Sequence, residues 1–188
     1  MRDCIINTMT THQTHISNRT IWTSLVLCSV LACFSAVASA FELPPTPPKG
    51  PVILKITGAV GAKNTPDAAA FDAALLDALP QTTYTATTPW FKEPAQFSGP
   101  LLRDVLKLAK AQGTILNATA LNDYKALIPM DDVTRYDVIL ARKMNGKPIA
   151  IRDKGPIFVM YPFDTVPQLK DMVFFSRSIW QLHSISVQ

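Results

Sequence analysis

Arg152-Asp153-Lys154-Gly155, with Arg177 and His183 farther on, are the residues of this chain best equipped for chemistry. Guanidinium forks and an ammonium can hold a phosphate or another oxyanion at two points. A glycine lets a ligand approach backbone N–H groups closely. Arg152, Lys154, Gly155, Arg177 and His183 are therefore the candidate anion-binding residues. The bland alternative is that they are solvated surface charges, with Arg152 and Asp153 paired locally. His183 is the one histidine after residue 40, and it cannot build a zinc site alone, because zinc takes at least three protein ligands. Asp131-Asp132 reads as helix capping, where acidic groups meet the positive end of the dipole. None of the five serines after residue 40 sits in a nucleophile-type glycine setting. No catalytic residue and no metal ligand is assigned.

The cysteines narrow the chemistry further. Cys4, Cys28 and Cys33 all precede Ala38-Ser39-Ala40, and no thiol follows. The first 40 residues have the form of an export signal. A polar start leads into an apolar run from Ile21 to Val37, and small residues then stand where a signal peptidase cuts, after Ala40. A retained anchor and lipidation at Cys33 are the competing readings. Cleavage would give a periplasmic or secreted protein with no membrane attachment, no disulfide and no thiolate. Taking Arg2, Arg19 and Asp3 from the totals of 18 and 14 leaves 16 basic residues against 13 acidic ones. That weak, dispersed charge excludes a nucleic-acid surface.

The segments that must position these groups start after a proline-rich leader, residues 41–51, with Pro44, Pro45, Pro47, Pro48 and Pro51. Residues 52–188 then form one domain. The β-branched run 52–58 predicts a strand. Thr65, Pro66 and Asp67 predict the cap and first turn of a helix carrying Phe71, Leu75, Leu76 and Leu79. Residues 82–88 predict a strand running into Pro89-Trp90-Phe91. A second helix is expected to open at Ser98-Gly99-Pro100 and to end on Gly113 as a left-handed cap. Short strands follow at 114–121 and 124–128, and Asp131-Asp132 begins a brief helical turn. Asn145-Gly146 predicts a hairpin between 138–142 and 148–151. Residues 157–161 and 179–187 complete the strands. The fold class is α+β, a mixed β-sheet with a few short helices.

The order of several short motifs carries a resemblance. Phe97-Ser98-Gly99-Pro100-Leu101-Leu102-Arg103-Asp104-Val105-Leu106 is followed by Ala120-Leu121-Asn122-Asp123-Tyr124 and Ile128-Pro129-Met130-Asp131-Asp132. Asn145-Gly146-Lys147-Pro148, Arg152-Asp153-Lys154-Gly155-Pro156, Tyr161-Pro162 and Ser176-Arg177-Ser178-Ile179-Trp180-Gln181-Leu182 complete it. From about Val52 to Val187 this resembles the oxidoreductase molybdopterin-binding domain, the sulfite-oxidase-like fold, in a small exported form. The resemblance implies a molybdenum–pterin cofactor whose metal is bound by a cysteine on a loop after an early strand. That region here is Thr85-Ala86-Thr87-Thr88-Pro89-Trp90, which has no cysteine. A threonine hydroxyl ionises far above a thiol and lacks soft donation to the metal. The expected pocket comprises Thr85, Thr87, Trp90, Tyr161 and Trp180. The expected function is non-catalytic binding of a small anionic ligand or a partner protein, with molybdopterin a cofactor by resemblance only. The alternatives are an oxidoreductase with a non-cysteine metal environment and a purely structural protein.

Overall fold

A computed structural model describes residues 42–188. The export segment, its cleavage after Ala40 and the cysteines lie outside the described residues. Among the described residues no helix is long and apolar enough to cross a membrane.

The domain is α+β, as the sequence predicts. Its largest sheet has five strands: β1 (Val52–Gly58), β2 (Ala69–Asp72), β5 (Ile115–Ala120), β6 (Lys125–Pro129) and β11 (Leu182–Val187), in the order β2-β1-β11-β5-β6. β1 and β11 are parallel and the other pairings are antiparallel, which makes the sheet mixed. A second sheet contains β3 (Gln81–Ala86), β4 (Ala95–Pro100), β8 (Lys143–Met144) and β9 (Lys147–Pro148), in that order. A third pairs β7 (Ile139–Ala141) with β10 (Phe158–Met160). Among the described residues the short α-helices are α1 (Ala73–Asp77), α2 (Leu102–Leu108), α3 (Met130–Arg135) and α4 (Met172–Arg177). Leu54, Ile56, Phe71, Leu102, Leu116 and Ile139 are among the fully buried side chains of the continuous core.

Three expectations are corrected. The helix expected from Thr65 is a turn followed by β2, and only Ala73–Asp77 is helical. Asn64 explains this: its side chain donates to the Ala70 carbonyl at 2.9 Å and accepts from the Ala70 N–H at 2.7 Å. Thr65 Oγ1 likewise bonds to Ala68 within a turn, so neither side chain is free to cap a helix. Ser98-Gly99-Pro100 ends β4 rather than opening α2. The helix start is satisfied instead by backbone, with Leu102 N–H donating to Val138 O at 2.8 Å. Gly113 is not the left-handed cap; Lys110 takes that conformation, with φ 49°. Gly113 is needed for space, since a Cβ there would meet Gln188 O at 2.4 Å. The Asn145-Gly146 turn forms with positive φ at both residues. Its arms are only β8 and β9, because β7 turns away to pair with β10.

Asp72 joins the leader to the domain. Its carboxylate caps α1 at Leu75 N–H (2.8 Å) and accepts from Gly50 N–H (2.9 Å). Replacing Asp72 by alanine is expected to cost about 1–2 kcal/mol, the value of a helix cap, and to release the leader. Urea melts and limited proteolysis at residues 42–51 check both.

Candidate functional site

The main concavity is a cleft of about 420 Å³. Pro89 and Trp90 of the loop after β3 form one wall. Ala120, Asn122 and Tyr124, at the β5–β6 turn, form the floor. Met172, Phe175 and Ser176 of α4, with Ile179 and Trp180 just beyond it, close the third side. Among the described residues no charged side chain lines it.

Trp90 anchors this wall to the core. Its ring lies 5.3 Å from Phe158, 5.8 Å from Phe175 and 5.9 Å from Trp180, all edge-on. Such pairs suit the aromatic quadrupole and fix the wall rigidly. Across the opening, Tyr124 OH donates to Ser176 O at 3.1 Å, tying the β5–β6 turn to α4.

Of the expected pocket residues, Trp90 and Trp180 line this cleft. Thr85, Thr87 and Tyr161 do not line the cleft, and each departure has a physical cause. Thr85 lies on β3 opposite Gln96 and is exposed. Thr87 is bound to Asp164 through its N–H (2.8 Å) and its hydroxyl (3.1 Å). Thr88, beside it, is buried, and its hydroxyl oxygen has no hydrogen-bond partner. Tyr161 is fully buried and donates to Asp132 at 2.9 Å. Burial, with the Asp132 charge, pushes its hydroxyl well above the usual tyrosine range, so it stays a donor.

The five anion-site candidates are not assembled into one site. Arg177 donates to Asp132 at 2.8 Å and is spent on that ion pair. Arg152 is 88 % exposed beside Asp153 at 3.5 Å, which is the bland reading. Gly155 is approached closely by Ile149 O of its own chain, not left open for a ligand. His183 is the extra residue of a β-bulge: Leu182 faces Ala120 while Ser184 faces Thr119. Lys154 has its ammonium 4.0 Å from the centre of the ring of Trp180, a cleft residue. Of the acidic pair, Asp131 sits in the first turn of α3 as expected, but Asp132 is the buried acceptor of Tyr161 and Arg177. That role was invisible in sequence, since its partners lie 29 and 45 residues away. The α4 residues Met172 and Phe175 were also missed. The apolar run Met172-Val173-Phe174-Phe175 on so short a helix is the signal that could have found them.

Asp164 is held below its ordinary value of 3.8 chiefly by a hydrogen bond from Lys170, and also by Thr87. Asp72 is lowered first by the Leu75 N–H. A carboxyl lowered on folding stabilises above its unfolded value, and that contribution is lost as pH falls through the folded value. Stability is therefore expected to be level above about pH 5 and to decline below it. Asp164→Asn and Asp72→Asn should each flatten the decline, as urea midpoints between pH 3 and 7 would show.

The model of the family described as the oxidoreductase molybdopterin binding domain matches residues 54–164, more than half of the chain. The chain belongs to that family. Arg177 and Trp180 lie beyond the matched stretch. Among solved structures, the sulfane dehydrogenase SoxCD from Paracoccus pantotrophus is similar, with 20 % identity and a TM-score of 0.57 over 79 % of this chain. This likeness shows the fold. The chain spans 40 % of the length of that protein. No curated protein matches.

The family implies a molybdenum–pterin cofactor, and the residues here do not fit one. The loop from Thr85 to Trp90 offers hydroxyls where a thiolate would be needed. Among the described residues the cleft lining itself has no Lys or Arg, and the ammonium of Lys154 stands on the Trp180 ring. Among the described residues no three His, Cys, Asp or Glu side chains group to hold a metal. Arg177, next in the chain to the cleft residue Ser176, is paired with Asp132.

Proposed function

We propose that this is an exported, non-catalytic member of the molybdopterin-binding domain family that uses its cleft to bind a small ligand. The observation that carries the reading is the cleft itself. It stands beside the loop where the family's thiolate is expected, and its walls are aromatic and aliphatic, with no donor suited to a metal. Fold and activity are separable, so the architecture can outlast the redox chemistry. Rigid apolar walls with a few polar groups at the edge are the usual make-up of a small-molecule pocket.

Two measurements test this. Protein isolated from its native compartment should carry molybdenum far below one atom per chain. Thermal melts with molybdate, sulfate or pterins should show no shift, whereas a true ligand at 100 times its Kd adds about 2.7 kcal/mol. Molybdenum near one per chain, with turnover of an oxyanion, would establish the rival oxidoreductase with a non-cysteine metal environment.

A further inference from the structure

The chemistry of the cleft's occupant can be narrowed, on the basis of the ligand-binding reading above. We infer that the cleft takes an anionic amphiphile: a single apolar chain of about ten carbons whose acidic head lies against Lys154. Three observations converge on this class.

The first is size. A volume of about 420 Å³ corresponds to roughly fourteen water-sized groups at about 30 Å³ each. That suits a medium-length acyl chain and its head.

The second is polarity. The walls met by the ligand body are Trp90, Phe175, Ile179 and Trp180, with the exposed Met172 at the edge. A strongly hydrated inorganic anion would lose its water against these apolar walls, with no cation and only a few neutral polar groups among the lining residues in exchange. The body must therefore be apolar.

The third is charge. Lys154 is the cation placed on a cleft residue, 4.0 Å from the Trp180 ring centre. It has no carboxylate partner among the described residues, in contrast to Arg142, Arg152, Lys170 and Arg177. An ammonium has three donors, and a ring face occupies only part of that capacity. Its backbone is held in place, with φ 79°, by Lys154 N–H donating to Ile151 O (3.2 Å) and Gln181 N–H donating to Lys154 O (3.0 Å). The backbone that carries the charge is thus held in place, and the ammonium rests on the ring of a residue that lines the cleft. This complementarity selects a negative head on an apolar body.

The test is calorimetry and tryptophan fluorescence on the isolated protein with octanoate, decanoate, decanol and decyltrimethylammonium, each below its micelle-forming concentration. Decanoate should bind at least tenfold more tightly than decanol, and the cationic amphiphile should not bind. Affinity should rise about fourfold per added methylene from octanoate to decanoate, following the transfer of each CH2 out of water. Lys154→Gln should erase the preference for carboxylate over alcohol while alcohol binding persists. Met172→Glu, at a side chain whose residue is 77 % exposed, should abolish binding of decanoate without moving the urea midpoint. Equal affinity for decanoate and decanol, or an unchanged preference in Lys154→Gln, overturns the head-group assignment. No binding of any amphiphile by a molybdenum-free protein overturns the inference and leaves the non-catalytic reading standing. Stoichiometric molybdenum instead removes the reading on which it rests.

Discussion

Gly155→Ala is expected to leave little folded protein. A Cβ at this position would stand 1.8 Å from Ile149 O and 2.5 Å from Ile149 C, both backbone atoms that cannot rotate away. The same stretch carries the bond from Gly155 N–H to Ala150 O at 2.8 Å. Relief therefore requires the 149–155 segment to part, taking with it the base on which Lys154 stands. A cost upward of about 4 kcal/mol is expected, in the range that only overpacking or lost core structure produces. Against a total of roughly 5–15 kcal/mol for an ordinary domain, much of the protein would be unfolded or degraded. Gly99→Ala should behave alike, because its Cβ would meet Leu140 O at 1.9 Å. Gly146→Ala is the control. Nothing lies within 4 Å of its added carbon, and only the positive φ of 76° is penalised, about 1–2 kcal/mol. Soluble yield and urea melts of the three variants check the ranking. A Gly155→Ala protein as stable as the Gly146→Ala protein would show that the two segments are not packed as described.

Asp132→Ala is expected to cost about 3 kcal/mol and to loosen the cleft. Asp132 is buried and receives both the Tyr161 hydroxyl and the Arg177 guanidinium on one oxygen, at 2.9 and 2.8 Å. Removing it leaves a buried hydroxyl without an acceptor and a half-buried cation without its counter-charge. Breaking a fully buried pair in this way costs about 3–5 kcal/mol. The lower end applies here, because the Arg177 and Asp132 side chains retain 23 % and 10 % exposure. Asp132→Asn keeps an acceptor for Tyr161 and should cost about half as much, while Tyr161→Phe should cost about 1 kcal/mol, one neutral hydrogen bond. Arg177 is the last residue of α4, and no residue of that helix is fully buried. The ion pair is therefore a main tie holding Met172, Phe175 and Ser176 against the cleft. Loss of it should raise hydrogen exchange across residues 172–177 before the five-stranded sheet is affected. Uniform exchange across the domain would show that α4 is held by packing alone.

The order of short motifs was enough to place the chain in its family and to assign its α+β class, and alternation or β-branching located β1, β3, β5, β6 and β10. Local patterns succeed there because each strand's inward residues meet one continuous core, so burial repeats along the sequence itself. The cysteine-free loop from Thr85 to Trp90 was likewise plain from the sequence.

The errors arose wherever a side chain answers to a partner far along the chain. Phe71, Leu75, Leu76 and Leu79 fit a helical stripe, yet Asn64 clamps Ala70 into β2, and the helix must wait for Asp72. His183 interrupts the alternation of β11 because a bulge against β5 resets the phase, which only the register with Ala120 and Thr119 reveals. Arg177 has the form of an anion ligand in sequence, but Asp132 pairs with it across the fold, while Lys154, one of several basic residues in sequence, is distinguished by the Trp180 ring beneath it. Residue types and their spacing determined that the loop from Thr85 to Trp90 carries no thiol. Which charge remains available, and which walls enclose the cleft, was decided by tertiary packing, because electrostatic pairing depends on distance in space and not on separation along the chain.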